Sequence, residues 1–127
     1  MNIVMTFTGL ELAAMVKLGL AMARVDGRVD DNENAAIAFE LVGFGVSEDK
    51  IESILVAAEA MSATDAIVAL SSMSSIKQKY ATGYFAVIMA ADGQIEDEEL
   101  KLWKLICTLA NFPGMTVSEA LEFWKTH

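Results

Sequence analysis

Carboxylates are the chemically capable groups of this sequence, and they come in two matched sets. Asp92-Gly93-Gln94-Ile95-Glu96-Asp97-Glu98-Glu99 is preceded, 66 residues earlier, by Asp26-Gly27-Arg28-Val29-Asp30-Asp31-Asn32-Glu33. The Asp-Gly pair, the later Asp and the final Glu are identical between the copies, and Val29/Ile95 and Asp30/Glu96 keep their chemical type. Brought together, Asp26, Asp30, Glu33, Asp92, Glu96 and Glu99 would offer the oxygen ligands that hard cations such as Ca²⁺ or Mg²⁺ favour. Neither copy is an EF-hand loop. With Gly27 or Gly93 at loop position six, positions one and three fall on Met22 and Arg24, or on Ile88 and Ala90, none of which supplies a carboxylate.

The same acids have a second explanation. A helix N-terminus carries orphan N–H groups and a partial positive charge, so a capping residue is worth about 0.5–2 kcal/mol and first-turn acids about 0.3–1 kcal/mol each. Asp30, Asp31, Glu33, Glu96, Asp97, Glu98 and Glu99 all stand where a following helix would begin. Asp26 and Asp92 do not, because each closes the preceding helix, where the dipole disfavours an anion. They require either hydrogen bonds that pin the turn or a shared cation.

Other routes to chemistry are poorly supplied. The only histidine, His127, is the last residue, which disfavours a buried triad or zinc site. Cys107 sits on the inward face of an expected helix with no histidine partner and reads as an inert core thiol. Gly43-Phe44-Gly45 is a helix end rather than a phosphate loop. A carboxylate acid–base pair between the two acidic turns has no specific sign in the chain, and the expectation is a protein that is not an enzyme.

Composition bounds the setting for these residues. A chain of 127 residues with 54% hydrophobic content and one proline can bury a core without disulfide or metal staples. One cysteine excludes an intrachain disulfide, and no secretory signal or run long enough to span a bilayer is visible, so cytoplasm is the expected compartment. A net charge of −9 argues against nucleic acid or an anionic membrane surface as a partner. Nine of the eighteen acids lie in the two matched sets, a concentration that general surface acidity does not explain.

The elements that would position the acids are all helices, about seven of them. Thr8-x-x-Glu11 is a capping box opening a first helix that runs to about Val25, apolar nearly all round and therefore central to the core. Its stripe is Leu10, Ala13, Ala14, Leu18, Ala21 and Met22. Gly27 ends it, and Asp30-x-x-Glu33 opens a second helix to about Phe44. Ser47 is the expected cap of a third, with Ile51, Ile54, Leu55 and Ala58 inward, and Ser62-x-x-Asp65 opens a short fourth carrying Ile67, Val68 and Leu70. Ser71 to Ser75 is the expected break between two halves, Ser75 capping a long helix with the stripe Ile76, Tyr80, Tyr84, Val87, Ile88 and Ala91. From Glu98 to Ala110 an amphipathic helix follows, with Trp103, Ile106 and Cys107 inward and Lys101 and Lys104 outward. Pro113 stops it, and Thr116-x-x-Glu119 opens the last, where Phe123 and Trp124 cannot both face inward and one is expected at the surface for a second subunit. The chain thus reads as a single domain, 1–127, with repeats over about 8–60 and 75–126; Val46-Ser47-Glu48 and Val117-Ser118-Glu119 extend the match beyond the acidic turns.

A helix ending in Ala90-Ala91-Asp92-Gly93, one residue, Ile95, a capping acid and then Glu resembles the signature of the TerB-like superfamily, which includes a bacterial tellurite-resistance protein and the N-terminal domain of membrane-anchored DnaJ-like proteins. The likeness spans Leu10 to Phe123. The first copy departs from it with Arg24-Val25 in place of two alanines, and both copies carry an acid where Ser or Thr is usual. The resemblance implies an all-helical, stress-associated cytoplasmic domain whose acidic surface binds metal or a protein partner; it does not imply an enzyme. Two readings follow. One is a non-enzymatic binding or scaffold module linked to a divalent cation through Asp26, Asp30, Glu33, Asp92, Glu96 and Glu99. The other is a self-associating structural protein whose acids serve only as caps.

Overall fold

Six α-helices and their connections make up the described part of the computed structural model, which covers residues 7–23, 46–90, 95 and 97–126. They are α1 (Gly9–Ala23), α2 (Glu48–Ala60), α3 (Ala63–Ser71), α4 (Ser75–Ala90), α5 (Asp97–Leu109) and α6 (Val117–Thr126). No strand occurs among the described residues, so the all-helical class holds. The helix expected over about 31–44 lies outside them, as do Gly27, Gly93 and His127.

Helix starts obey local chemistry. Thr8 and Glu11 form the expected box, the Thr8 N–H donating to Glu11 Oε1 at 2.8 Å and the Glu11 N–H to Thr8 Oγ1 at 3.1 Å. Thr116 and Glu119 repeat it at 2.9 and 3.1 Å. Ser62 Oγ accepts from the Asp65 N–H at 3.0 Å. Two caps differ from expectation. Ser47 occupies the N-cap of α2, but its hydroxyl bonds no helix N–H; it meets the exposed Asp49 carboxylate, whose pKa it lowers. Ser75 is already helical, and Ser74 caps α4 instead, its oxygen accepting from the Lys77 N–H at 3.4 Å and its carbonyl from the Gln78 N–H. The matched tripeptides are not equivalent either: Ser47 precedes its helix, whereas Ser118 lies inside one.

The end of α5 is a Schellman motif. The Phe112 N–H reaches the Cys107 carbonyl at 2.9 Å and the Asn111 N–H reaches that of Thr108 at 3.2 Å, with Asn111 left-handed at φ 56°. Asparagine tolerates that conformation better than most residues. The motif turns the chain sharply and lays Phe112 back on the helix it has just left.

Two helices form the interior. α1 packs on α2, α3 and α4, while α4 is wrapped by α1, α5 and α6. Every residue of α4 from Tyr80 to Ala86 is buried, which is why its apolar pattern broadens all round. Met15, Met22, Met73 and Met89 fill this core, as adaptable thioethers do. Gln78, though polar, is buried because its Nε2 donates to the carbonyls of Leu70 (3.2 Å), Ser71 (3.4 Å) and Ala110 (3.5 Å), tying the ends of α3 and α5 to α4.

Four expected core positions face solvent: Leu10 is 62% exposed, Val68 58% and Ile76 40%, and Ala21 near the end of α1 is exposed too. Leu10 and Ile76 stand in the first turns of α1 and α4, next to Glu11 and Lys77, which bond each other. On α3, Ala66 and Leu70 take the inward places instead. Phe123 and Trp124 correct a different expectation, since both are partly buried. Phe123 meets Tyr80 edge-on at 5.1 Å and Trp124 meets Tyr84 at 6.3 Å, two tyrosines one turn apart on α4.

At the start of α1, Lys77 Nζ bonds Glu11 Oε1 at 2.9 Å and lies 5.5 Å from the Phe7 ring centroid, joining α1 and α4. Burial alone would raise the Glu11 carboxyl, but the Thr8 N–H, Lys77 and the Thr8 hydroxyl together hold it below its ordinary value of 4.5. A depressed carboxylate contributes stability that is complete above pH 4.5 and lost as pH falls through the lower folded value. Glu11→Gln keeps the capping reach, so it should cost no more than about 1 kcal/mol at pH 7. Melts of both proteins between pH 7 and pH 3 should converge on acidification; a gap that persists at pH 3 would assign the cost to packing.

Candidate functional site

Of the six carboxylates proposed as ligands, five, Asp26, Asp30, Glu33, Asp92 and Glu96, lie outside the described residues. Glu99 is described, and its setting is informative. The start of α5 carries three consecutive acids, and the helical twist separates them: Asp97 and Glu98 are exposed, whereas Glu99 is 7% exposed. Glu99 heads the buried stripe that continues through Trp103, Ile106 and Ala110. That stripe faces α4, α1 and α3. Only six residues, 91–96, separate the end of α4 from the start of α5, so this carboxylate lies next to the second acidic turn.

Placement decides what each acid can do. Exposed Asp97 and Glu98 meet the positive end of α5 through solvent, which is enough for a dipole role worth about 0.3–1 kcal/mol each. A carboxylate withdrawn from water needs stronger compensation, from helix N–H groups or a cation. Among the described residues no three His, Cys, Asp or Glu side chains gather in a metal-binding group.

A second feature lies further along α5. The helix and the 112–117 segment folded back on it form an open groove of about 600 Å³, lined among others by Leu100, Trp103, Cys107, Phe112, Met115 and the exposed Lys104. Burial raises the Cys107 thiol to about 11, so it is neutral at physiological pH, but it is only partly buried and lines the groove rather than the core. Trp103 Nε1 points away from the groove's ligand space toward the Thr82 carbonyl, 3.5 Å distant, so the groove is offered ring rather than N–H. The sequence pattern places Trp103 and Cys107 inward but does not show the groove, because its other side is made by a turn. The available signal is the pair Asn111 and Pro113, which stop α5 and send Phe112 and Met115 back along it.

Comparison with protein-family models and with curated proteins finds no match. Among solved structures, the crystal structure of PG1108 from Porphyromonas gingivalis W83, a protein of unknown function, aligns with a TM-score of 0.83 at 40% sequence identity, covering 98% of this chain and 94% of that one. The chain belongs to that protein's family. An alignment of this extent takes in the whole helical architecture rather than one hairpin. In this chain α1 and α4 are the interior helices, and α5 carries both Glu99 and the groove. Among the described residues no single helix is long and apolar enough to cross a membrane.

Proposed function

We propose that this chain is a non-enzymatic binding module of the TerB-like kind, in which the paired acidic turns take up a divalent cation, Ca²⁺ or Mg²⁺. The ligands in this reading are Asp26, Asp30, Glu33, Asp92, Glu96 and Glu99. The observation that carries it is the burial of Glu99, which a capping role does not require. A glutamate turned inward beside an acidic turn is placed to add one oxygen ligand to a hard cation held by that turn. Bound, the ion would contribute cross-linking between the two turns rather than reaction chemistry. The two repeats, over about 8–60 and 75–126, would then be the means of presenting matched ligands from either half.

One observation favours the other reading, in which the acids are caps and the protein associates with itself. Glu11 and Glu119, the two box glutamates whose bonds are described, each accept from their own N-cap N–H. Leu105 and Leu109, 53% and 57% exposed one turn apart on α5, would supply an apolar contact between copies.

Melting distinguishes the two. Chelator-treated protein given millimolar Ca²⁺, Mg²⁺ or Mn²⁺ is expected to gain about 2.7 kcal/mol once the ion exceeds its Kd about 100-fold, and Glu99→Gln should abolish the gain without loss of helical circular dichroism. If none of the three ions moves the transition, the cation reading fails and the capping one stands.

A further inference from the structure

We propose that the groove between α5 and the 112–117 segment binds a small amphiphile with an apolar chain and a single anionic head, of the fatty-acid class, with Lys104 receiving the head. This site is separate from the acidic turns and stands whether or not they bind a cation.

Size gives the first argument. About 600 Å³ lies in the range of small-molecule pockets. Lining chemistry gives the second: Leu100, Trp103, Phe112, Met115 and the protonated Cys107 present carbon and sulfur surface, and such pockets characteristically add few polar groups. The polar groups near them are largely committed. Thr108 Oγ1 donates to the Lys104 carbonyl at 2.9 Å, Thr116 Oγ1 accepts from the Glu119 N–H at 3.1 Å, and Trp103 Nε1 is directed to Thr82. What the groove offers a ligand's polar end is the ammonium of Lys104.

Charge gives the third argument. In a chain of net charge −9, the groove lining contains one charged residue, and it is a cation. Lys104 has no acid one turn away on its own helix, because positions 100, 101, 107 and 108 are Leu, Lys, Cys and Thr. Lys101 is different, since it does not line the groove and has Asp97 and Glu98 one turn away to offset its charge. The surroundings therefore favour an anionic head over a cationic or neutral one, and a chain too apolar for water over a polar metabolite.

The probe is dodecanoate below its micellar range, titrated into the full chain while a neutral maleimide reports on Cys107 and fluorescence on Trp103 in a Trp124→Phe background. Saturable slowing of Cys107 labelling with a one-to-one endpoint is expected, accompanied by a change in Trp103 emission. Lys104→Glu should weaken binding about tenfold, and dodecyltrimethylammonium should not compete. The thiol readout uses the unmodified chain, so it holds even if the tryptophan variant folds poorly. Absence of saturable protection overturns the proposal. Equal binding of dodecanol, with Lys104→Glu indifferent, overturns the anionic head. Protection that rises with protein concentration alone assigns the groove to a second copy of the chain and overturns it as well.

Discussion

Phe85→Ala is expected to remove about 3–5 kcal/mol of stability, the upper range for truncating a core side chain. Phe85 is fully buried in the middle of α4, where the helix is covered on every side, and its ring meets Tyr84 edge-on at 5.4 Å. Truncation removes the transfer free energy of the ring and leaves a void that the surroundings cannot easily close. α4 is held from one direction by α1 and from others by α5 and α6, so no single helix can move in without leaving another. Since domains of this size are stable by only about 5–15 kcal/mol, the variant should sit near its folding threshold. Urea denaturation should show a much lower midpoint with the slope unchanged, and the melting temperature should fall by on the order of 10–20 °C. Phe85→Leu, which keeps most of the volume, should lose less than about half as much. A loss below about 1 kcal/mol for the alanine variant would mean that α4 is not the helix on which the others depend.

What was legible in the sequence is what is decided within one turn of chain. Thr8 with Glu11, Ser62 with Asp65 and Thr116 with Glu119 place three helix starts, because the donors and acceptors are three residues apart whatever the rest of the molecule does. Asn111 and Pro113 place an end for the same reason. Coverage of a helix face depends on other elements, and there the pattern misleads. Leu10 and Ile76 continue their apolar stripes into first turns where these side chains stay exposed, and Val68 yields its inward place to Ala66. Phe123 and Trp124 both find aromatic partners because α4 presents Tyr80 and Tyr84 along a single line beneath them, a fact of helix crossing rather than of either sequence. The burial of Gln78 is equally non-local, since it rests on carbonyls 7, 8 and 32 residues away. The candidate site divides similarly. The acidity of the first turn of α5 is plain in the sequence, but which of Asp97, Glu98 and Glu99 turns inward is fixed by the direction from which α4 and α1 approach.

Two glycines, neither prominent in the sequence pattern, make helix crossings possible, and they should respond differently to substitution. A Cβ on Gly83 would stand 3.0 Å from the Ala120 carbonyl oxygen and 3.2 Å from Trp124 Cβ. Neither atom can rotate away, so relief requires the whole of α6 to lift from α4, loosening the packing of Phe123 on Tyr80 and of Trp124 on Tyr84. Gly83→Val should therefore cost about 3 kcal/mol, the upper part of the overpacking range, even though leaving glycine gains a few tenths of a kcal/mol in helix propensity. At Gly19 the nearest atom is Ile88 Cδ1, 2.8 Å away, with Tyr84 Cε1 at 3.3 Å. The Ile88 methyl ends a side chain that is only partly buried and can swing clear. For Gly19→Ala the steric cost of about 1 kcal/mol or more is then opposed by a propensity gain of about 0.8–1 kcal/mol, and the net change should be within about 1 kcal/mol of zero. Thermal melts of the two variants, read together with the emission of Trp124, test the crossing directly. Gly83→Val should shift that emission to the red as α6 lifts, whereas Gly19→Ala should leave it in place. If Gly83→Val instead melts with the parent, α6 must be held by something other than its close approach to α4, and the tyrosine contacts of Phe123 and Trp124 would have to be the cause of the crossing rather than its consequence.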